Sequence, residues 1–96
     1  MAVLGIINKQ PREKIDFDIS YATVLAGRSD TIASTTVEVT PAGLTVPASA
    51  VLTGNVAKVV ISAGTNAVTY TVTVLATTTA GLIYEDELHL IVEETV

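Results

Sequence analysis

An all-β chain folded as an antiparallel β-sandwich of about seven strands is what this sequence predicts. Three observations carry that prediction. Thr, Val and Ile supply 37 of the 96 residues. Their β-branched side chains fit a pleated, half-buried surface and lose χ1 freedom in helices. Apolar and polar residues alternate over one segment after another, and no segment sustains a helical period. Turn residues separate those segments at short intervals, as in sandwiches and barrels. The segments differ in length, which favours two packed sheets over a closed barrel. A hydrophobic fraction of 49% suffices for one core, and an aromatic fraction of 4% makes that core aliphatic.

Residues 1–13 read as an N-terminal arm and residues 14–96 as the sandwich domain. In the arm, MAVLGII is apolar, NKQPREK is polar, and Pro11 breaks the pattern. Val3, Leu4, Ile6 and Ile7 have no place on a solvated tail. Three readings are open for them: docking on a neighbouring subunit, a first edge strand of the same domain, or a frayed end. KIDFDIS alternates, with Ile15, Phe17 and Ile19 on one face and Asp16 and Asp18 on the other. YATVLAGRSD follows as a loop or bulged strand end. TIASTTVEVT is a strand whose parity breaks between Ile32 and the pair Val37 and Val39. A bulge near Ser34 and Thr35 brings all three inside.

PAGLTV supplies a turn and a short strand, and SAVLT another, closed by the Gly54-Asn55 turn. VAKVVISA places Ala57, Val59, Ile61 and Ala63 on one face, with Lys58 and Ser62 opposite. After the turn at GTN, AVTYTVTVLATTT is the clearest strand. Val68, Tyr70, Val72 and Val74 point one way, and Thr69, Thr71 and Thr73 the other. Past the Ala80-Gly81 turn, IYEDELHLIVEE buries Leu88, Leu90 and Val92 and turns Glu87, His89 and Glu93 to water. The expected core holds Phe17, Ile32, Val59, Ile61, Tyr70, Val72, Leu88 and Leu90. Tyr70 has a further role available. In immunoglobulin-like sandwiches a tyrosine early in a late central strand bonds back to the preceding corner. GTNAVTY offers that arrangement, the plain alternative being a half-buried aromatic with its hydroxyl at the surface, and the sandwich is read as immunoglobulin-like.

The same residues offer little chemistry. There is no cysteine and a single histidine, His89, on the outward side of its strand. No nucleophile motif or phosphate-binding glycine loop accompanies it. The chain is therefore read as non-enzymatic, without catalytic, cofactor-binding or metal-binding residues. Two acidic groups, Asp16 and Asp18 with Asp30, and Glu85 with Asp86 and Glu87, lack the loop spacing that calcium needs, and read as solvated faces. The formal net charge is −5. Residues 1–58 sum to zero, and the excess lies in Glu85, Asp86, Glu87, Glu93 and Glu94. An acidic chain without a basic patch repels nucleic acid. MAVLGIIN lacks a basic n-region and is too short for a signal peptide, and no apolar run reaches membrane-spanning length. No nucleic-acid, membrane or small-molecule partner is expected. The interaction candidates are Val3, Leu4, Ile6 and Ile7 of the arm, and the row Thr69, Thr71 and Thr73. That row is either a neutral solvent face or a packing surface.

A resemblance spans residues 9–94. KQPREKIDFDISYATVLAGRSDTIAS, PAGLTV and VAKVVISAGTNAVTYTVTVLATTTAGLIYEDELHLIVEE follow one another in the order seen in a family of small phage and prophage structural proteins, the fiber-tail adaptors. That family has an Asp-Tyr-x-Ile-Asp-like opening, a Gly-Asp-Thr-Ile segment and a Gly-Leu-Thr turn. A Val-x-Leu-Ser-Gly-Gly-Thr element, a Tyr-x-Val strand and an acidic last strand complete it. Asp16 to Asp18, Asp30 to Ile32, Gly43 to Thr45, Val59 to Thr65 and Tyr70 to Val72 resemble those elements. The chain departs from the pattern with Phe17 for Tyr, with Arg28 and Ser29 between Gly27 and Asp30, with Ala63 for the first glycine of the Gly-Gly turn, and with Val37 where Trp is frequent. The resemblance implies a virion subunit synthesised in the host cytoplasm, a tail or head–tail adaptor or connector. It further implies assembly into a ring or collar with other phage structural proteins and with copies of itself. The competing reading is a bacterial immunoglobulin-like adhesion or carbohydrate-binding module. Sugar sites need stacked aromatics, and this chain has only Phe17, Tyr21, Tyr70 and Tyr84.

Overall fold

A computed structural model of the chain describes residues 2–25, 27 and 29–94. Eight strands form: β1 (Ala2–Lys9), β2 (Ile15–Ser20), β3 (Ile32–Thr40), β4 (Leu44–Thr45), β5 (Val51–Thr53), β6 (Val56–Ala63), β7 (Val68–Thr78) and β8 (Ile83–Val92). The helix α1 (Ala22–Leu25) is a single turn. One sheet has the order β1-β8-β7-β3 and the other β2-β6-β4, with β5 also on β6. The molecule measures 47 × 22 × 20 Å. The expected all-β chain in two sheets is what forms.

The alternation read from sequence sets the core. Val59, Ile61, Val72, Leu90 and Val92 have no exposed surface, and Tyr70, Ile32 and Leu88 join them. Phe17 stays half-buried, packed against that cluster. β7 pairs with β8 from Val68↔Val92 to Thr77↔Ile83, so inward residues of one strand stand opposite inward residues of the other. The parity break in β3 is a bulge between Ile32 and Ser34, a residue earlier than expected. It buries Ile32 and Val37 and half-buries Val39.

Three expectations need correction. The sandwich is not wholly antiparallel, because β1 runs parallel to β8 from Ala2↔Asp86 to Lys9↔Val92. No hairpin joins these two strands, so no turn dictates their relative direction. Ala63 does not continue the inward row of Ala57, Val59 and Ile61. It is exposed and left-handed, with φ 63°, where β6 gives way to the turn. The supposed loop after β2 is part of the core. Tyr21, just before α1, and Leu25, at its end, turn inward, 2% and 4% exposed, with Leu25 N–H donating to Tyr21 O at 2.9 Å. Tyr21 N–H itself donates to Asn55 O at 2.8 Å, which ties this turn to the β5–β6 hairpin.

Candidate interaction surface

The outward face of the β1-β8-β7-β3 sheet collects most of the candidates. Register places Ile6 beside His89, His89 beside Thr71, and Thr71 beside Thr40, in one row across four strands. The next row runs Glu87, Thr73, Glu38. Thr69 is exposed, while Thr71 and Thr73 are half-buried by their cross-strand neighbours. Ile6 is 66% exposed, and Ile83, at the other end of β8, is 67% exposed beside Leu82. Ile6 of the arm and the threonine row, separate in sequence, therefore share one face.

Three residues of the arm fall elsewhere or outside the described side chains. Ile7 stands opposite Leu90 and packs on the core instead of on the outer face. The backbone of Val3 and Leu4 belongs to β1, but their side chains lie outside the described residues.

His89 and Glu87 were expected in open water and are half-buried. They meet at 2.7 Å between Nε2 and Oε1. Among the described residues no hydrogen bond joins the ring to the Thr71 hydroxyl across the strand. No group of three His, Cys, Asp or Glu residues capable of holding a metal ion comes together among the described residues.

Besides the buried threonines Thr35 and Thr78, the buried polar groups of Lys9 and Tyr21 escaped the sequence reading. Lys9, assigned to a polar hinge, is 1% exposed. Its Nζ donates to the carbonyls of Gln10 at 2.8 Å, Pro11 at 3.2 Å and Ala63 at 2.6 Å. It stands opposite Val92 on the inward side of β1, and this parity is the signal that could have found it. Burial holds its ammonium below the ordinary lysine value, opposed by the charge of Glu13 and then by Tyr70. The lysine is covered by neighbouring chain without lying deep in the core. Tyr21 has a hydroxyl with no partner of ordinary hydrogen-bond geometry. Burial first, and the Asp86 carboxylate second, push its phenol well above the usual range. Asp86 acts here as a nearby charge and weak acceptor, not as a well-aligned hydrogen-bond partner.

Tyr70 fills the role read from sequence. Its hydroxyl accepts the Thr65 N–H at 2.9 Å, bonding the start of β7 back to the preceding corner. A Cβ at Gly43 would stand 3.0 Å from the same oxygen, so this position admits the turn because it has no side chain. On the opposite sheet, a shallow groove is lined by Val46, Pro47, Val51 and Val60 with Lys14 and Lys58. Lys58 there pairs with Asp16 at 3.6 Å, both largely exposed.

Compared with known proteins, no curated protein matches the chain. Residues 9–91 match a family model, that of the podophage GP4 fiber-tail adaptor protein gp77.

Proposed function

The chain belongs to the podophage GP4 fiber-tail adaptor family, and from that premise we propose that it joins tail components by protein–protein contact, as an immunoglobulin-like, non-enzymatic, self-associating subunit. A structural virion component that meets other tail proteins is what the family indicates. The immunoglobulin-like reading is supported by the division of strands between the two sheets and by the Tyr70 bond to the corner at Thr65. The observation that carries the contact role is the outward face of the β1-β8-β7-β3 sheet. It is broad, built on rigid strands, and flanked by Ile6 and Ile83, each about two-thirds exposed.

Residues 1–13 act as more than a spacer in this reading, since their strand forms one edge of that face. Thr69, Thr71 and Thr73 supply its neutral centre, and Ile6 its apolar margin. The carbohydrate-binding alternative finds less support. Tyr21 and Tyr70, half of the chain's aromatics, are buried at 2% and 1% and present no ring for a sugar to stack on.

The test is assembly. Tails produced without this chain are incubated with wild-type protein or with Thr71→Arg and Thr73→Arg variants, and co-sedimentation is measured. Wild type should sediment with the tails. The variants should keep their circular dichroism and lose co-sedimentation, because a bulky cation on the face blocks close packing. Variants that bind as tightly as wild type would remove this face from the function.

A further inference from the structure

We infer that β1 pairs, edge to edge and antiparallel, with β1 of a second copy, joining two four-stranded sheets into one of eight strands. This deepens the self-association proposed above, and it rests on that reading only for taking the occupant to be a copy of the chain.

An open edge is a row of unpaired N–H and C=O groups, and proteins usually guard it with charge, bulges or cover. The other edges here are guarded. The outer side of β3 is bridged by Val37 N–H to Ala48 O at 2.9 Å and by Ala50 N–H to Thr35 Oγ1 at 2.8 Å. The β4 and β5 side is broken into pieces of two and three residues. β2 carries Asp16 and Asp18 on its exposed face, and a second β2 laid antiparallel across a two-fold axis at Phe17 would set like charges opposite each other.

From Gly5 onward β1 has no such guard. From Ala2 to Asn8 it carries no charge. Its one charged residue, Lys9, is turned inward and spent on three carbonyls. The bulge lies between Val3 and Gly5, which leaves the stretch from Gly5 to Lys9 regular. Lys9 O accepts Glu93 N–H at 2.8 Å, so the backbone groups of Lys9 address β8. Strand alternation then turns those of Ile6 and Asn8 to the open side.

A copy of the chain fits this edge for two reasons. With the two-fold axis at Ile6, the two Ile6 side chains, 66% exposed in the single chain, stand opposite and cover one another. The net charge of −5 does not oppose this contact as it would a face-to-face one. At about 4.8 Å per strand, the Glu87 rows of two copies lie three strand spacings apart, roughly 14 Å. That exceeds the Debye length of about 8 Å at physiological salt.

Sedimentation of the isolated full chain over a concentration series tests the inference. Wild type should form a dimer. Ile6→Lys, which sets two like charges directly opposite each other on the axis, should weaken dimerisation by about a hundredfold or more, and Asn8→Lys, which guards the edge with a charge opposite position 4 of the copy, should weaken it too. Both should leave the thermal midpoint of the dilute monomer unchanged. Val51→Lys, at a position 62% exposed on the other sheet, should dimerise like wild type. A wild-type chain that stays monomeric overturns the inference, as does a dimer that survives both edge variants or one broken by Val51→Lys. Tail co-sedimentation by these variants is read separately, so loss of self-pairing and loss of tail binding are distinguishable.

Discussion

Tyr21 carries a hydroxyl buried beside a carboxylate, and both features favour its neutral form. Its folded pKa lies above the ordinary 10.0. In alkali the unfolded chain loses this proton first, so stability present below pH 10 falls as pH rises above it. Tyr21→Phe should flatten that alkaline loss in a pH series of urea titrations. At neutral pH the substitution should be neutral or gain up to about 1 kcal/mol, since the lost hydroxyl has no well-formed bond. A loss of several kcal/mol would show that Asp86 accepts a strong hydrogen bond after all. A second residue-scale prediction concerns Ala63. Its left-handed φ of 63° costs an L-residue about 1–2 kcal/mol, partly offset on changing to glycine by the greater chain entropy of the unfolded state. Ala63→Gly should therefore raise stability by about 0.5–1 kcal/mol, read as a higher denaturant midpoint. Gly64, next in line, has φ 105° and admits no Cβ, which would stand 2.8 Å from Val92 Cγ2. The Gly-Gly turn that the chain resembles is thus a conformational requirement that Ala63 meets under strain.

At the scale of elements, the legible parts were those whose period is local. β2, β6, β7 and β8 announced themselves through alternation, and Tyr70 through its distance from a turn. The β3 bulge was legible as a broken parity, though a residue away from its place, because period two fixes which residues are inward and not where the slip occurs. What stayed hidden depends on partners remote in sequence. Tyr21 and Leu25 look like loop residues until α1 folds them under the sheets, and nothing nearby marks the turn as buried. Lys9 looked like a hinge residue because its three acceptors include Ala63 O, 54 positions away. Ile6 and Thr71 met only once β8 came between them. Lys9 also tests how firmly β1 is held. Lys9→Met keeps most of the stem and removes the ammonium, so the carbonyls of Gln10, Pro11 and Ala63 lose their donor. Stability should fall by about 1–3 kcal/mol, and hydrogen exchange should quicken in β1 before β7. Wild type should also gain stability as pH rises from the depressed folded pKa of Lys9 toward the unfolded 10.5, because the unfolded chain holds the proton longer. Lys9→Met should lack that gain. Uniform exchange across both strands would mean that the lysine does not latch β1 in particular.

For the whole molecule, the parallel course of β1 and β8 has a mechanical consequence. Ala2 lies level with Asp86, and Lys9 level with Val92. Force entering at residue 2 and leaving at residue 92 therefore acts at opposite ends of one ladder and slides the two strands past each other. In that direction every bond of the ladder bears a share at once. A hairpin such as β7–β8, pulled open from its free end, gives way one bond at a time. Single-molecule stretching should accordingly find a higher rupture force between residues 2 and 92 than between residues 68 and 92, which peels β7 from β8. Equal forces would show that the ladder is not what resists. In the connecting role proposed above, the chain sits in the path of whatever tension passes between tail components. With this strand order, tension directed along β1 and β8 is carried in shear.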